Sequence, residues 1–189
     1  MNNSLINVND IKNGMTIIYD GKLCVIISFL HVKPGKGAAV MKVKMRNLKT
    51  GTITEETINS DKKLEKAHVD KKTMSYLYNS GTGYVFMDNE TYEQTEISED
   101  KLTDEKKFLK ENMEVQIAFY QGEIIGVTLP EKVEYEVVDT TDAVKGNTTN
   151  NAQKDATLEN GLVVKVPLFI TNGEKIIVST LDGKYSSRA

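Results

Sequence analysis

Short runs of apolar or alternating residues, separated by turn signals, recur along nearly the whole chain. The turns are marked by pairs that end in glycine, at Asp20-Gly21, Thr50-Gly51, Ser80-Gly81, Gln121-Gly122, Asn172-Gly173 and Asp182-Gly183. Strand side chains alternate between two faces, and runs of this length and spacing are typical of small β-barrels or sandwiches. The pattern therefore predicts an all-β protein built from several small units.

Two segments depart from the strand pattern. Residues 101–113 predict a short helix that plugs or flanks a barrel, because Thr103 can cap its start and a partial apolar stripe follows, at Leu102, Phe108, Leu109 and Met113. Residues 139–160 are polar and poor in apolar side chains, so we predict a long loop there.

A weak internal repeat indicates the domain organisation. Residues 115–127 and 164–178 share the order of their apolar positions around a Gly-Glu pair. Such similarity favours two related β units in tandem. With a basic unit in front of them, the chain is predicted to have three small domains, at 1–65, 66–130 and 131–189.

One stretch, LHVKPGKGAAVMKVKMR from position 30, predicts a hairpin with a basic tip. Pro34 suits the second position of a tight turn, and Gly35 can supply the positive φ that the third position of a type II turn requires. Lys33 and Lys36 would then stand at the two corners of the turn. Taken alone, such a turn is also an ordinary surface feature, so its function stays open at this point.

The return strand of this hairpin strengthens the functional interpretation. Alternation places one set of side chains on a core and a basic set on the opposite face, namely Met41, Val43 and Met45 against Lys42, Lys44 and Arg46. The net charge of −3 also hides an asymmetry, because residues 1–65 carry +4 while 66–130 carry −5 and 131–189 carry −2. A polyanion bound through the first domain, such as a phosphate backbone, fits this distribution.

Composition and the absence of known motifs limit the classes of protein to which the chain can belong. The 189 residues contain no run long enough to span a membrane and no apparent secretion signal, and the one cysteine, Cys24, fits a reducing compartment and a buried strand position. His31 and His68 lack partners at metal-ligand spacing, and nucleotide and hydrolase motifs are absent, so we expect neither metal nor cofactor and no enzyme. Four aromatic residues, Tyr76, Tyr78, Tyr84 and Phe86, fit a strand core better than a base-stacking platform.

Several motifs taken together resemble bacterial elongation factor P. They run in order from Val32-Lys-Pro-Gly-Lys-Gly-Ala and Lys42-Val-Lys-Met-Arg46, through Tyr76-Leu-Tyr-Asn79, Met87-Asp-Asn-Glu-Thr-Tyr92 and Val127-Thr-Leu-Pro130, to Val164-Lys-Val-Pro-Leu-Phe169 and Gly183-Lys-Tyr185-Ser-Ser-Arg188. The resemblance implies an SH3-like, KOW-type first domain followed by two OB-fold domains, in an L-shaped arrangement like that of a tRNA.

The resemblance also implies a function. Members of this family bind the 70S ribosome beside the peptidyl-tRNA and relieve stalling at consecutive prolines by positioning the CCA end, without being catalysts. Lys36 matches the lysine that modifying enzymes extend in many members, and contacts with tRNA and rRNA are implied for Lys33, Pro34, Gly35, Gly37, Lys42, Lys44 and Arg46. The implied protein is a cytoplasmic monomer, and the chemical identity of any group on Lys36 is left open.

The last domain shows departures from the family pattern. Its RNA contacts are implied for Gly146, Asn147, Thr148, Tyr185 and Arg188, although Asn147 replaces a common acid. Asp155 replaces a proline of the family and should loosen a turn there, and Leu181 replaces an arginine. An elongation factor P-like paralogue and a KOW-type RNA-binding module acting in transcription are the alternatives.

Overall fold

A computed structural model describes residues 4–142 and 152–189 and shows an all-β protein with three sheets, as the sequence pattern predicts. The first sheet has six strands in the order β1-β6-β2-β3-β4-β5. Their bounds are β1 (Ser4–Asn7), β2 (Thr16–Tyr19), β3 (Lys22–Val32), β4 (Val40–Asn47), β5 (Ile53–Asn59) and β6 (Lys63–Lys66), and a 3₁₀ turn at Val8–Asp10 follows β1.

The core of the first sheet takes every second residue of β4. Met41, Val43 and Met45 are almost fully buried and pack with Ile17 and Ile26. Removing such side chains from water stabilises the fold by about 1.5–3 kcal/mol each. Cys24 is buried in the same cluster, which confirms its predicted packing role, and burial raises the pKa of its thiol.

The second sheet has five strands in the order β11-β10-β7-β8-β9. Phe86 and Tyr76 are buried with their ring centroids 5.5 Å apart, as expected for a strand core, whereas Tyr78 is 52% exposed. The strands are β7 (Asp70–Asn79), β8 (Gly83–Asp88), β9 (Gln94–Ser98), β10 (Glu114–Tyr120) and β11 (Glu123–Thr128).

The helix predicted for residues 101–113 is wrong in type. Two short 3₁₀ turns, Glu99–Lys101 and Glu105–Phe108, take its place, and Thr103 caps neither of them. All four residues of the apolar stripe are nevertheless buried: Leu102, Phe108, Leu109 and Met113. The stripe lacks the regular three- and four-residue spacing of an α-helix, and so short a segment gains little from helix formation alone. Two separate turns bury the same side chains.

The third sheet has five strands in the order β14-β13-β12-β15-β16. They are β12 (Lys132–Thr140), β13 (Gln153–Leu158), β14 (Val163–Pro167), β15 (Lys175–Ser179) and β16 (Tyr185–Arg188). The predicted loop over 139–160 is therefore wrong at both ends, because Asp139 and Thr140 belong to β12 and because β13 carries the buried Lys154, Ala156 and Leu158. Asp155 accordingly lies in a strand and not in a loosened turn.

The second and third sheets share one strand order, with the first strand of each unit in the centre, as the prediction of two related β units requires. The matched residues of the internal repeat, however, do not lie on equivalent strands. Strands β10 and β11 are neighbours in their sheet, whereas β13 and β12 separate β14 from β15. Two segments with similar apolar spacing around a Gly-Glu pair therefore pair with different neighbouring strands, because strand alternation alone does not specify the partner strand.

The chain divides into two compact units. One holds residues up to Lys71 together with Ala118–Gly126, and the other holds Lys72–Ile117 with Val127–Ala189. Within the second unit, the buried Tyr135 hydroxyl donates to the Phe108 carbonyl, and burial raises the pKa of this phenol. Among the described residues, no helix has the length and apolar character of a membrane span.

Candidate nucleic-acid interface on the first sheet

The β3–β4 hairpin extends beyond the rest of the first sheet. Strand β2 pairs with β3 only as far as Val25, whereas β4 pairs with β3 up to Val32 and Val40. Strand β5 supports β4 over the same distance, since Val40 pairs with Asn59. The outer half of the hairpin is therefore three strands wide, and its far end carries the loop of residues 33–39.

The tip of this loop differs from the predicted tight turn. Gly35 does not have the positive φ that a type II turn requires; Gly37 has it instead, at +114°. The strands end at Val32 and Val40, so seven residues connect them, and the chain reverses more gradually than in a four-residue turn. The five predicted tip residues are all exposed: Lys33, Pro34, Gly35, Lys36 and Gly37.

A hydrogen-bonded brace holds one end of the tip loop. The Ser60 N–H donates to the Ala39 carbonyl at 2.9 Å, and the Asn9 side-chain amide donates to the Ser60 carbonyl at 2.9 Å. The 3₁₀ turn after β1 is thereby connected to the point where the loop enters β4. Sequence patterns gave no signal for this brace, because Asn9 and Ser60 are 51 positions apart.

The basic face of β4 forms as predicted. Lys42, Lys44 and Arg46, here called the basic ladder, are exposed while the residues between them are buried. Strand pairing gives each ladder residue one neighbour on β3 and one on β5, in the rows Leu30–Lys42–Thr57, Ser28–Lys44–Glu55 and Val25–Arg46–Ile53. Glu55, which sequence reasoning missed, thus lies directly opposite the middle cation.

Successive parts of the chain match three models of one protein family. Residues 7–64 match the elongation factor P KOW-like domain, 69–127 match the elongation factor P OB domain, and 133–188 match the elongation factor P C-terminal domain. The chain belongs to the elongation factor P family. It is therefore a translation elongation factor, and this family consists of translation factors and not of typical enzymes.

Solved structures add a second line of similarity. The chain resembles a eukaryotic translation initiation factor 5A from Methanococcus jannaschii, with 26% identity over 66% of this chain and 95% of that chain and a TM-score of 0.52. It also matches a translation initiation factor eif-5a family protein from Naegleria fowleri, with 19% identity over 67% and 98% of the two chains and a TM-score of 0.46. The KOW-like first domain and the curled, half-barrel form of the two following sheets agree with the fold expected for the family.

The third sheet of this elongation factor holds the remaining candidate residues that can be placed. Tyr185 is half-buried on β16, and Arg188 ends the strand. The Arg188 guanidinium forms an ion pair with Glu174 and lies 5.1 Å from the centroid of the Phe169 ring. The backbone N–H of Thr171, and then Arg188, lower the pKa of the Glu174 carboxyl. An RNA phosphate at Arg188 would thus compete with Glu174.

Three other candidates, Gly146, Asn147 and Thr148, lie outside the described residues. The described residues contain no group of three or more His, Cys, Asp or Glu side chains that could hold a metal ion. The candidate interface that the structure does assemble consists of the tip loop and the basic ladder, both on the same hairpin.

Proposed function

We propose that this elongation factor binds the 70S ribosome beside the peptidyl-tRNA in the peptidyl site and stimulates peptide bond formation at runs of prolines. The observation that carries the proposal is the position of Lys36, an exposed amine in a loop beyond the end of a three-stranded extension. Membership of the elongation factor P family supports translation as the process in which the amine acts.

The proposed mechanism is positioning of the tRNA. Proline is a hindered secondary amine, and prolyl chains misplace the ester that must react. The Lys36 ammonium offers three hydrogen-bond donors to the backbone of the CCA end, where it restricts motion. Holding reacting groups in the right geometry lowers a barrier without proton transfer or nucleophilic attack by the factor.

The basic ladder has a separate role in this proposal. Lys42, Lys44 and Arg46 bind phosphates of tRNA or rRNA, and such contacts supply affinity without reading sequence. Binding should therefore weaken as the salt concentration rises. The flanking Lys33 and the backbone of Pro34, Gly35 and Gly37 shape the approach of the tip to RNA.

Further parts of the proposal concern the rest of the chain. The factor acts in the cytoplasm as a monomer of three domains, at 1–65, 66–130 and 131–189, and enzymes that modify lysine act on Lys36. The last domain adds weaker contacts with RNA through Gly146, Asn147, Thr148, Tyr185 and Arg188. Of these, Arg188 would have to exchange its ion pair with Glu174 for a phosphate.

The test compares the variant Lys36→Ala with Lys49→Ala in reconstituted translation of a message that encodes consecutive prolines. Lys49 is an exposed lysine of the same sheet, in the turn at the opposite end of β4. Loss of a charge-assisted hydrogen bond worth about 1.5–3 kcal/mol should slow Pro–Pro bond formation by about 10- to 150-fold in Lys36→Ala. Lys49→Ala should act like the wild type, and both variants should keep the wild-type melting temperature.

If Lys36→Ala relieved stalling at the wild-type rate, the proposed mechanism would be contradicted. Intact-mass measurement and tryptic mapping of the native protein show beforehand whether Lys36 is modified. Cosedimentation with 70S ribosomes, compared with binding to RNA polymerase at the same salt concentration, separates the proposal from a role in transcription. A factor that binds only the polymerase would contradict it.

A further inference from the structure

Glu55 occupies a central position on the basic face of the first sheet. It pairs directly with Lys44 across β4 and β5, and both residues are exposed. Directly opposed residues of antiparallel strands share one face with Cβ atoms about 4.5–5.5 Å apart, and diagonal neighbours lie about 7–8 Å apart. Glu55 is therefore the direct cross-strand neighbour of Lys44 and a diagonal neighbour of the two outer cations, Lys42 and Arg46.

Among the described residues, Glu55 is the one acid in the rows that cross the basic ladder. Within the three described rows that cross the ladder, the remaining partners are apolar or neutral: Val25, Ser28, Leu30, Ile53 and Thr57. Lys44 and Glu55 also take part in none of the ion pairs found among the described residues. The carboxylate thus changes the field of the ladder without being needed to hold another group in place.

We infer that Glu55 is a specificity-determining residue, which weakens the attraction of the basic ladder for RNA in general. It lowers the formal charge of the crossing rows from +3 to +2. It also lies within a Debye length of about 8 Å from any phosphate bound at Lys44, so salt does not fully screen the repulsion. An RNA that contacts only the ladder is then held weakly, whereas the ribosome also engages the tip at Lys36. This inference rests on the proposed function.

The experiment measures binding of the full chain to two probes, a double-stranded RNA of about 16 base pairs and 70S ribosomes carrying peptidyl-tRNA. The variant Glu55→Gln should bind the duplex about 3- to 10-fold more tightly. The slope of log K against log salt, taken between about 50 and 200 mM, should steepen by roughly 0.7–0.9. Affinity for ribosomes should rise less, so the preference for ribosomes over the duplex should fall.

The matched control is Asp20→Asn, which also removes one exposed negative charge from the first sheet. Asp20 lies in the turn between β2 and β3, and its φ of +47° is one that asparagine adopts readily. This variant should leave duplex affinity and the salt slope unchanged. In a second measurement, Lys44→Gln should cost more duplex affinity in the Glu55→Gln background than in the wild type.

Equal effects of Glu55→Gln and Asp20→Asn would overturn the inference, because only net charge would then matter. Weaker duplex binding by Glu55→Gln would also overturn it, since Glu55 would then hold Lys44 in place for RNA. Failure of the proposed function gives a different result: Lys42→Gln and Arg46→Gln would leave ribosome binding unchanged.

Discussion

The variant Gly37→Ala tests the observed form of the tip loop. Gly37 has a φ of +114°, a conformation that residues with a Cβ rarely adopt, and a Cβ built there meets only Pro34 Cγ, at 3.8 Å. The expected cost is therefore conformational and not steric, on the order of 1–3 kcal/mol. Because 1.4 kcal/mol corresponds to a factor of 10, the ratio of molecules that keep this tip to molecules that leave it should fall by about 5- to 150-fold.

The assay is the rate of Pro–Pro bond formation in reconstituted translation with saturating factor, with the melting temperature measured in parallel. Gly37→Ala should lose most of the rate, since Lys36 would no longer be held in its productive position. The control is Gly35→Ala, whose φ is not positive and whose added Cβ would have no atom within 4 Å. Because the backbone conformation at position 35 is then unchanged, this variant should keep much more of the rate than Gly37→Ala. If Gly35→Ala lost the rate and Gly37→Ala kept it, the observed loop form would be refuted. The result would favour the predicted type II turn, with the positive φ at Gly35.

Two further predictions concern the second unit. Tyr135→Phe removes the buried hydrogen bond to the Phe108 carbonyl and leaves that carbonyl without its donor, so urea unfolding should show a loss of about 1–3 kcal/mol at an unchanged m-value. Asp88 accepts two backbone N–H groups of the following turn and pairs with Lys72, and these contacts lower the pKa of its carboxyl below 3.8. A pKa that is lower in the folded state means that this carboxylate stabilises the fold above pH 3.8 and loses that contribution as the pH falls through its folded-state pKa. Asp88→Asn should therefore flatten the decline in stability on acidification, and a similar decline in both proteins would contradict the assignment.

The parts of the interface that the sequence predicts are those set by local alternation. The exposed ladder and its buried companions follow from the period of two along β4, which needs no knowledge of the partner strands. The conformation of the tip does not follow from alternation alone, because the register of Val32 with Val40 decides how many residues must reverse the chain. Alternation and turn residues alone therefore placed the positive φ at Gly35 when it lies at Gly37.

Contacts that depend on strand register or on tertiary packing could not be predicted from local sequence patterns. Glu55 lies beside the basic ladder because it pairs with Lys44 across β4 and β5. Asn9 supports the tip loop because its side chain donates a hydrogen bond to the Ser60 carbonyl. The segment 101–113 shows a different limit: its apolar residues are buried as their chemistry predicts, but their irregular spacing suits two 3₁₀ turns and not one α-helix.

Because Cys24 is buried, a second thiol introduced at the surface could be labelled selectively. Cys24 is the sole thiol of the sequence, and its low exposure and raised pKa slow its reaction with alkylating reagents. A thiol introduced by Lys36→Cys would therefore react first. Aminoalkyl reagents of increasing length, attached there, would vary the reach of the tip amine by single carbon atoms in an otherwise unchanged protein. Under the proposed function, translation rates across such a series would measure the distance between the loop and the group that its amine contacts.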